Sequence, residues 1–168
     1  MKRIVWLLAA LLAVPCYAGD EAMQTEIKTP ASFEPLKALV GEWREVGKEE
    51  KGAVVHYELL AAGTALVESM NPGTPHSMAT VYYPDGENVM MTHFCSEGNQ
   101  PRMLGTGDAK SMTFKLVDIT NLASPGAGRM VGLVFTFTDK DHLTAAWTHK
   151  AGEKSEIYTF TMERKKKV

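Results

Sequence analysis

Residues 77–95 read SMATVYYPDGENVMMTHFC. A short strand over 77–83 ends at Pro84-Asp85-Gly86, a turn signal, and a second strand over 88–95 follows at once, so the two form a hairpin. The same texture extends in both directions. Upstream, Val55, Tyr57 and Leu59 alternate with His56 and Glu58, and residues 64–70 make another short strand. Downstream, 102–107 is a short strand, and 111–118 alternates with Met112, Phe114 and Leu116 on one face. Leu122 to Gly128 is a Pro- and Gly-bearing loop. Strands over 130–138, 142–149 and 155–164 are joined by tight turns at Asp139-Lys140-Asp141 and Ala151-Gly152-Glu153.

Counting a first strand at Trp43, this gives about ten short strands spaced by turns, with almost no helix. Such a meander satisfies its edges best by closing on itself. The expected fold is therefore all-β: an antiparallel up-and-down barrel of about eight to ten strands. A two-sheet sandwich is the rival, but it needs crossing connections that hairpin-length turns do not supply. One short helix is expected over 33–40, capped by Ser32, with Leu36, Leu39 and Val40 on one face.

That helix runs into Gly41-Glu42-Trp43. A helix of this kind followed by Gly-x-Trp and a meander resembles the start of lipocalin-like, calycin-type barrels, in which the Trp plugs the barrel floor. The chain as a whole resembles small secreted bacterial lipocalin-like domains. Thr92-His93-Phe94-Cys95, with Asn99-Gln100-Pro101-Arg102 beyond it, looks like a signature of one such group. Nitrobindin-type haem barrels are a more distant likeness. The resemblance implies a barrel and a tendency to bind small apolar ligands, and it implies no particular reaction.

The end of the opening hairpin holds the densest run of chemically capable side chains. Successive strand residues face opposite sides, so Val89, Met91, His93 and Cys95 share one face. An inward orientation of that face places His93 and Cys95 inside the barrel, with Asn99, Gln100 and Arg102 able to fold over the opening. Leu143, Ala145, Trp147 and His149 share a face of the ninth strand, and Glu68 shares one with Leu66 and Met70. The expected ligand-binding set is Glu68, Met91, His93, Cys95, Asn99, Arg102, Trp147 and His149: an apolar pocket with a few polar anchors. Arg102 would grip an anionic end of the ligand with two bonds. The blander alternative is that His93 and Asn99 only satisfy backbone groups around a turn.

Three further chemistries are weighed against that reading. His93-x-Cys95 offers two metal ligands from one strand face, but no paired Cys-x-x-Cys or His-x-x-x-His completes a site. Haem needs only one axial ligand and an apolar slot, for which His149 comes first and His93 second. A hydrolase or isomerase would use His93 as general base with Glu68 orienting it. No Gly-x-Ser-x-Gly, phosphate loop or paired carboxylates are present, so no residue is assigned a catalytic or metal role and no cofactor is specified. The expected function is an exported small-molecule-binding barrel whose ligand is mainly apolar with a polar or anionic end.

The N-terminal residues carry an address. Lys2 and Arg3 precede an apolar run from Ile4 to Val14, and Cys16-Tyr17-Ala18 places small residues where a signal peptidase reads. Cleavage after Ala18 leaves 150 of the 168 residues, one domain, and shifts the formal charge from −2 to −4 because two basic residues leave. The expected organisation is a signal peptide over 1–18, a lead-in over 19–32, a barrel over 33–164 and a basic tail over 165–168. The Glu163–Lys167 run is taken as solvated. No clustered basic face suggests nucleic acid, and no second apolar segment suggests a membrane span after cleavage, so a periplasmic or secreted location is expected. Cys95 is then the single cysteine, so no internal disulfide forms. The intact mass of the exported protein should match a chain beginning at Gly19; a mass that includes lipid on Cys16 would overturn the soluble reading.

Overall fold

The computed structural model describes residues 28–48 and 51–166. The expected signal peptide and the lead-in as far as residue 27 lie outside the described residues. Ala31–Phe33 forms a 3₁₀ turn and Glu34–Lys37 a single α-helical turn, α1. Ten strands follow: β1 (Gly41–Glu45), β2 (Val54–Leu60), β3 (Ala65–Met70), β4 (Met78–Asp85), β5 (Asn88–Phe94), β6 (Gln100–Gly107), β7 (Ser111–Thr120), β8 (Arg129–Phe137), β9 (His142–Ala151) and β10 (Lys154–Arg164). Each strand pairs with its sequence neighbours, and β1 also pairs with β10, so the sheet closes into a barrel. All the pairings are antiparallel. The architecture is the up-and-down barrel that the turn cadence predicts. No helix among the described residues is long and apolar enough to cross a membrane.

The helix is shorter than its sequence suggests. It ends at Lys37, so Leu36 and Leu39 are buried whereas Val40, expected on the same face, is 44% exposed. Ser32 does not cap it; its hydroxyl donates instead to the Glu87 carbonyl in the β4–β5 turn, pinning the helix across the barrel end. Beneath it, Trp43 is buried and its indole N–H donates to the Leu39 carbonyl at 2.7 Å.

Arg164 is the second correction. Expected in a solvated basic run, it lies over the Trp43 ring, 4.4 Å from the centroid. Its guanidinium donates to the carbonyls of Ala38, Val40 and Lys140 at 2.6–2.9 Å. The approach explains the glycine of Gly-x-Trp. Gly41 has φ +128°, and a Cβ there would stand 3.2 Å from Arg164 Nη1. Above this floor, Tyr82, Phe114 and Phe135 meet with ring centroids 5.6–6.2 Å apart and fill the barrel's middle with Met91, Met103, Met112 and Leu133.

β1 reaches only part of the way up the barrel. It pairs with β10 at Trp43↔Arg164, Arg44↔Glu163 and Glu45↔Met162. Residues 154–160 of β10 therefore have β9 as their one paired strand among the described residues. The β1–β10 join thus lies at the helix end, and the upper half of β10 has no second strand beside it among the described residues.

Arg164→Ala should lower stability by about 1–3 kcal/mol, because it leaves helix-end carbonyls without partners and bares the Trp43 face. Arg164→Lys, which retains charge but not the fork of donors, should recover only part of the loss. Urea unfolding reads both; an Arg164→Ala loss below about 0.5 kcal/mol would mean that the floor closes without this contact.

Candidate functional site

The opening hairpin determines what stands beside His93. Its turn sets Asp85 opposite Asn88, and counting back along the strands puts Thr80 opposite His93. The next two ladders put Glu68 opposite Thr80 and Tyr57 opposite Glu68. Four polar side chains thus form one row across β2, β3, β4 and β5, all on the inner face and all buried. Directly opposed residues on one face have Cβ atoms about 5 Å apart, so register alone brings these groups within reach.

Glu68 is the hub, with only 2% of its surface exposed. Tyr82 donates its hydroxyl to Oε2 at 2.7 Å, Thr80 donates to Oε1 at 3.4 Å, and Tyr57 stands directly opposite on β2. Burial raises the Glu68 pKa above its ordinary value, and the three hydroxyls oppose that rise. Burial, reinforced by the nearby carboxylate, holds both tyrosine hydroxyls firmly protonated.

Thr80 Oγ1 also lies 2.9 Å from His93 Nδ1. The other ring nitrogen, Nε2, is buried and has no hydrogen-bond partner. The imidazole packs against Trp147, ring centroids 4.7 Å apart. Desolvation pushes the His93 pKa down to about 4, so the ring is neutral near pH 7. His93 faces a cavity of about 50 Å³ whose other walls are Met70, Met78, Met130, Trp147, Tyr158 and Phe160. Tyr158 and Phe160 belong to the part of β10 that β1 leaves unpaired, and Tyr158 is 42% exposed. The slot therefore sits by the open seam. Larger hollows of about 320 and 900 Å³ flank the helix and the outside of β1 and β2. Neither is lined by a buried polar atom that lacks a partner.

The eight residues singled out in the sequence take different places. His93 and Trp147 line the slot, and Glu68 stands behind His93 through Thr80. Met91 is fully buried in the packed middle, opposite Tyr82, and does not line the slot. Cys95 and Asn99 hold the β5–β6 turn: Cys95 N–H donates to the Asn99 carbonyl, and the Asn99 amide donates to the Gly128 carbonyl at 2.8 Å. Asn99 Oδ1 is, among the described residues, the other buried side-chain polar atom with no partner. Burial raises the Cys95 thiol pKa, which removes the ready thiolate that a nucleophile needs. His149 Nε2 stands 3.1 Å from Glu97 in the same turn. Arg102 does not join the cluster. It points outward from β6, half exposed, with its guanidinium forked onto Asp118.

Haem is a poor fit to these residues. His149, the first axial candidate, is engaged by Glu97, and His93, the second, opens into a slot far smaller than a porphyrin. Among the described residues no three His, Cys, Asp or Glu side chains come together as a metal site would require.

Sequence reading missed Tyr57, Thr80 and Tyr82. The signal was present: the tight turn at residues 84–87 fixes the register that pairs Thr80 with His93. Arg102 was also legible, since strand alternation about Pro101 and Met103, both buried, turns it outward.

No family model matches the chain, and no curated protein matches it. Among solved structures the chain is similar to Rv2717c from M. tuberculosis, with a TM-score of 0.57 at 15% identity, covering 83% of this chain and 100% of that one. At that identity the likeness shows the barrel fold alone.

The His93 pKa carries a sign that can be tested. Between pH 6.5 and about 4 the unfolded chain takes up a proton that folded His93 refuses, so this contribution is complete above pH 6.5 and is lost as pH falls. Glu68 acts in the opposite sense, since its raised pKa lets the folded state protonate first as pH falls. The stability gap between wild type and His93→Gln should therefore change by about 3 kcal/mol in the variant's favour from pH 7 to pH 4. A gap independent of pH would show that His93 is hydrated.

Proposed function

We propose that this chain is an exported small-molecule-binding barrel, and that its ligand enters the slot beside β10 and takes its one polar contact from His93 Nε2. The supporting observation is that bare, buried nitrogen in otherwise apolar surroundings. Leaving a buried polar atom unpaired costs about 1–3 kcal/mol, which a ligand's hydrogen bond recovers. Three of the walls are methionines, Met70, Met78 and Met130, whose unbranched chains adapt to a guest. Adaptation matters, because about 50 Å³ is well below the roughly 300 Å³ at which drug-sized sites begin.

The anchor also revises the ligand. An anionic end was expected on the strength of Arg102, which is committed to Asp118 on the outside. The anchor that remains is a neutral imidazole, and it favours an uncharged polar group on a small apolar body.

The test uses methyl-labelled methionine and a series of primary alcohols from 1-butanol to 1-octanol. Saturable shifts should be confined to Met70, Met78 and Met130, with the fully buried Met91, Met103 and Met112 unmoved. His93→Phe should weaken binding by about tenfold, the worth of one hydrogen bond to a buried partner. Shifts that never saturate, or that are greatest at the packed methionines, would refute the site.

A further inference from the structure

The row from Tyr57 to His93 also determines which hydrogen-bonding role the slot presents. Thr80 has one hydroxyl hydrogen and two neighbours that compete for it, Glu68 Oε1 at 3.4 Å and His93 Nδ1 at 2.9 Å. An ionised carboxylate only accepts. With Glu68 ionised, Thr80 must therefore donate to Glu68, since otherwise two oxygen lone pairs would face each other in a low-dielectric core. Thr80 Oγ1 then accepts from His93 Nδ1–H. A neutral imidazole carries one N–H, so Nε2 is left bare and acts as an acceptor. With a hydrogen on the carboxyl group each step reverses: Glu68 donates to Thr80, Thr80 donates to Nδ1, and Nε2–H points into the slot as a donor.

The surroundings of the carboxyl group favour the first arrangement. Tyr82 brings its hydroxyl hydrogen to Oε2 at 2.7 Å and the Tyr57 hydroxyl faces the group from β2, surroundings that suit an acceptor-only group. Resting on the reading of the slot as a ligand site, we infer that Glu68, acting through Thr80, fixes His93 Nε2 as an acceptor, so that the slot selects uncharged molecules with a hydrogen-bond donor, short alcohols above all, over acceptor-only molecules of the same size. Glu68 and Thr80 are positioning residues here, and His93 is the group that touches the ligand. A ketone or ether in the slot would leave Nε2 unpaired, which is the mechanism by which buried polar sites reject analogues.

The test is nitrogen NMR of the full chain labelled with ¹⁵N-histidine at pH 8, combined with titration of 1-butanol and 2-butanone read at the Met70, Met78 and Met130 methyls. In the wild type, His93 should carry its hydrogen on Nδ1, and 1-butanol should bind about tenfold more tightly than 2-butanone. Glu68→Gln should invert the tautomer, since its amide nitrogen donates to Thr80 while its carbonyl retains the tyrosines, and the alcohol preference should vanish. Thr80→Val removes the only hydroxyl between the two groups and should leave a mixture of tautomers whether residue 68 is Glu or Gln. An Nε2–H tautomer in the wild type would overturn the inference while leaving the slot reading standing, and that measurement needs no variant to fold. A bare Nε2 with saturable binding of neither probe would instead overturn the slot reading. Inversion by Glu68→Gln in a Thr80→Val background would show that the coupling does not run through Thr80.

Discussion

The clasp of Arg164 on Trp43 closes this barrel, and most other features follow from where that closure stops. A meander of ten strands has two edges, and they meet only if β1 holds β2 on one side and β10 on the other. β1 has five residues and β10 has eleven, so the join is short. Three Cα pairs would be a weak seam alone. The guanidinium reinforces it by tying the last residue of β10 to carbonyls at Ala38 and Val40, just before β1, and at Lys140, in the β8–β9 turn. Lys165 continues the seam, its N–H on the Glu42 carbonyl and its ammonium on the Glu42 carboxylate. The same shortness leaves the upper half of β10 free on one side. Tyr158 and Phe160, two of the walls of the slot, lie on that stretch.

The polar row imposes a second constraint, on register. A carboxyl group under an aromatic core is tolerable only with partners, since burying an unpaired charge costs several kcal/mol. Glu68 finds them on the two adjacent strands, Tyr57 on β2 and Thr80 with Tyr82 on β4. A one-residue slip of β3 against either neighbour would turn Glu68 to the outside and bring Val67 and Ser69 in. The row therefore specifies the pairing of four strands as much as it equips a site, and the two roles do not compete. Groups that must be present to satisfy Glu68 are the same groups that hold His93 Nδ1 and leave Nε2 without a partner.

Much of this could be read from the residues, and the failures have separate causes. Strand count and the hairpin at Pro84-Asp85-Gly86 followed from turn chemistry and alternation, both local signals, whereas the burial of Trp43 was implied by the Gly-x-Trp resemblance. Alternation also put His93 on one face with Val89 and Met91, but both faces of that strand are apolar, so periodicity did not decide which one looks inward. Arg164 was misplaced because the three lysines after it look like solvent-facing charge, and nothing local reveals that the chain end crosses under the helix. Arg102 was placed at the rim, at the start of a strand over 102–107, because Gly98 to Pro101 looked like a break. β6 in fact begins at Gln100 and accommodates the proline, with a register shift against β7 between Arg102 and Met103. Tyr57, Thr80 and Tyr82 were passed over for a different reason. A hydroxyl on a strand has no signal of its own and gains meaning only once cross-strand partners are counted outward from a turn.

Depth gives the last step. Tyr82, Phe114 and Phe135 occupy the barrel's middle so completely that a ligand cannot descend past them. Gly105 shows how tight that layer is, since a Cβ there would stand 2.3 Å from the Phe114 ring. Tyr82 belongs to both layers: its ring is part of the aromatic stack, and its hydroxyl donates to Glu68. The polar row behind His93 is therefore held by a group packed into the core, whereas three walls of the slot are methionines that can move. A rigid polar base under adaptable apolar walls discriminates sharply at the one atom that meets His93 and only loosely along the rest of a guest. Specificity in this barrel should accordingly depend on the chemistry of a ligand's polar end more than on the shape of its body.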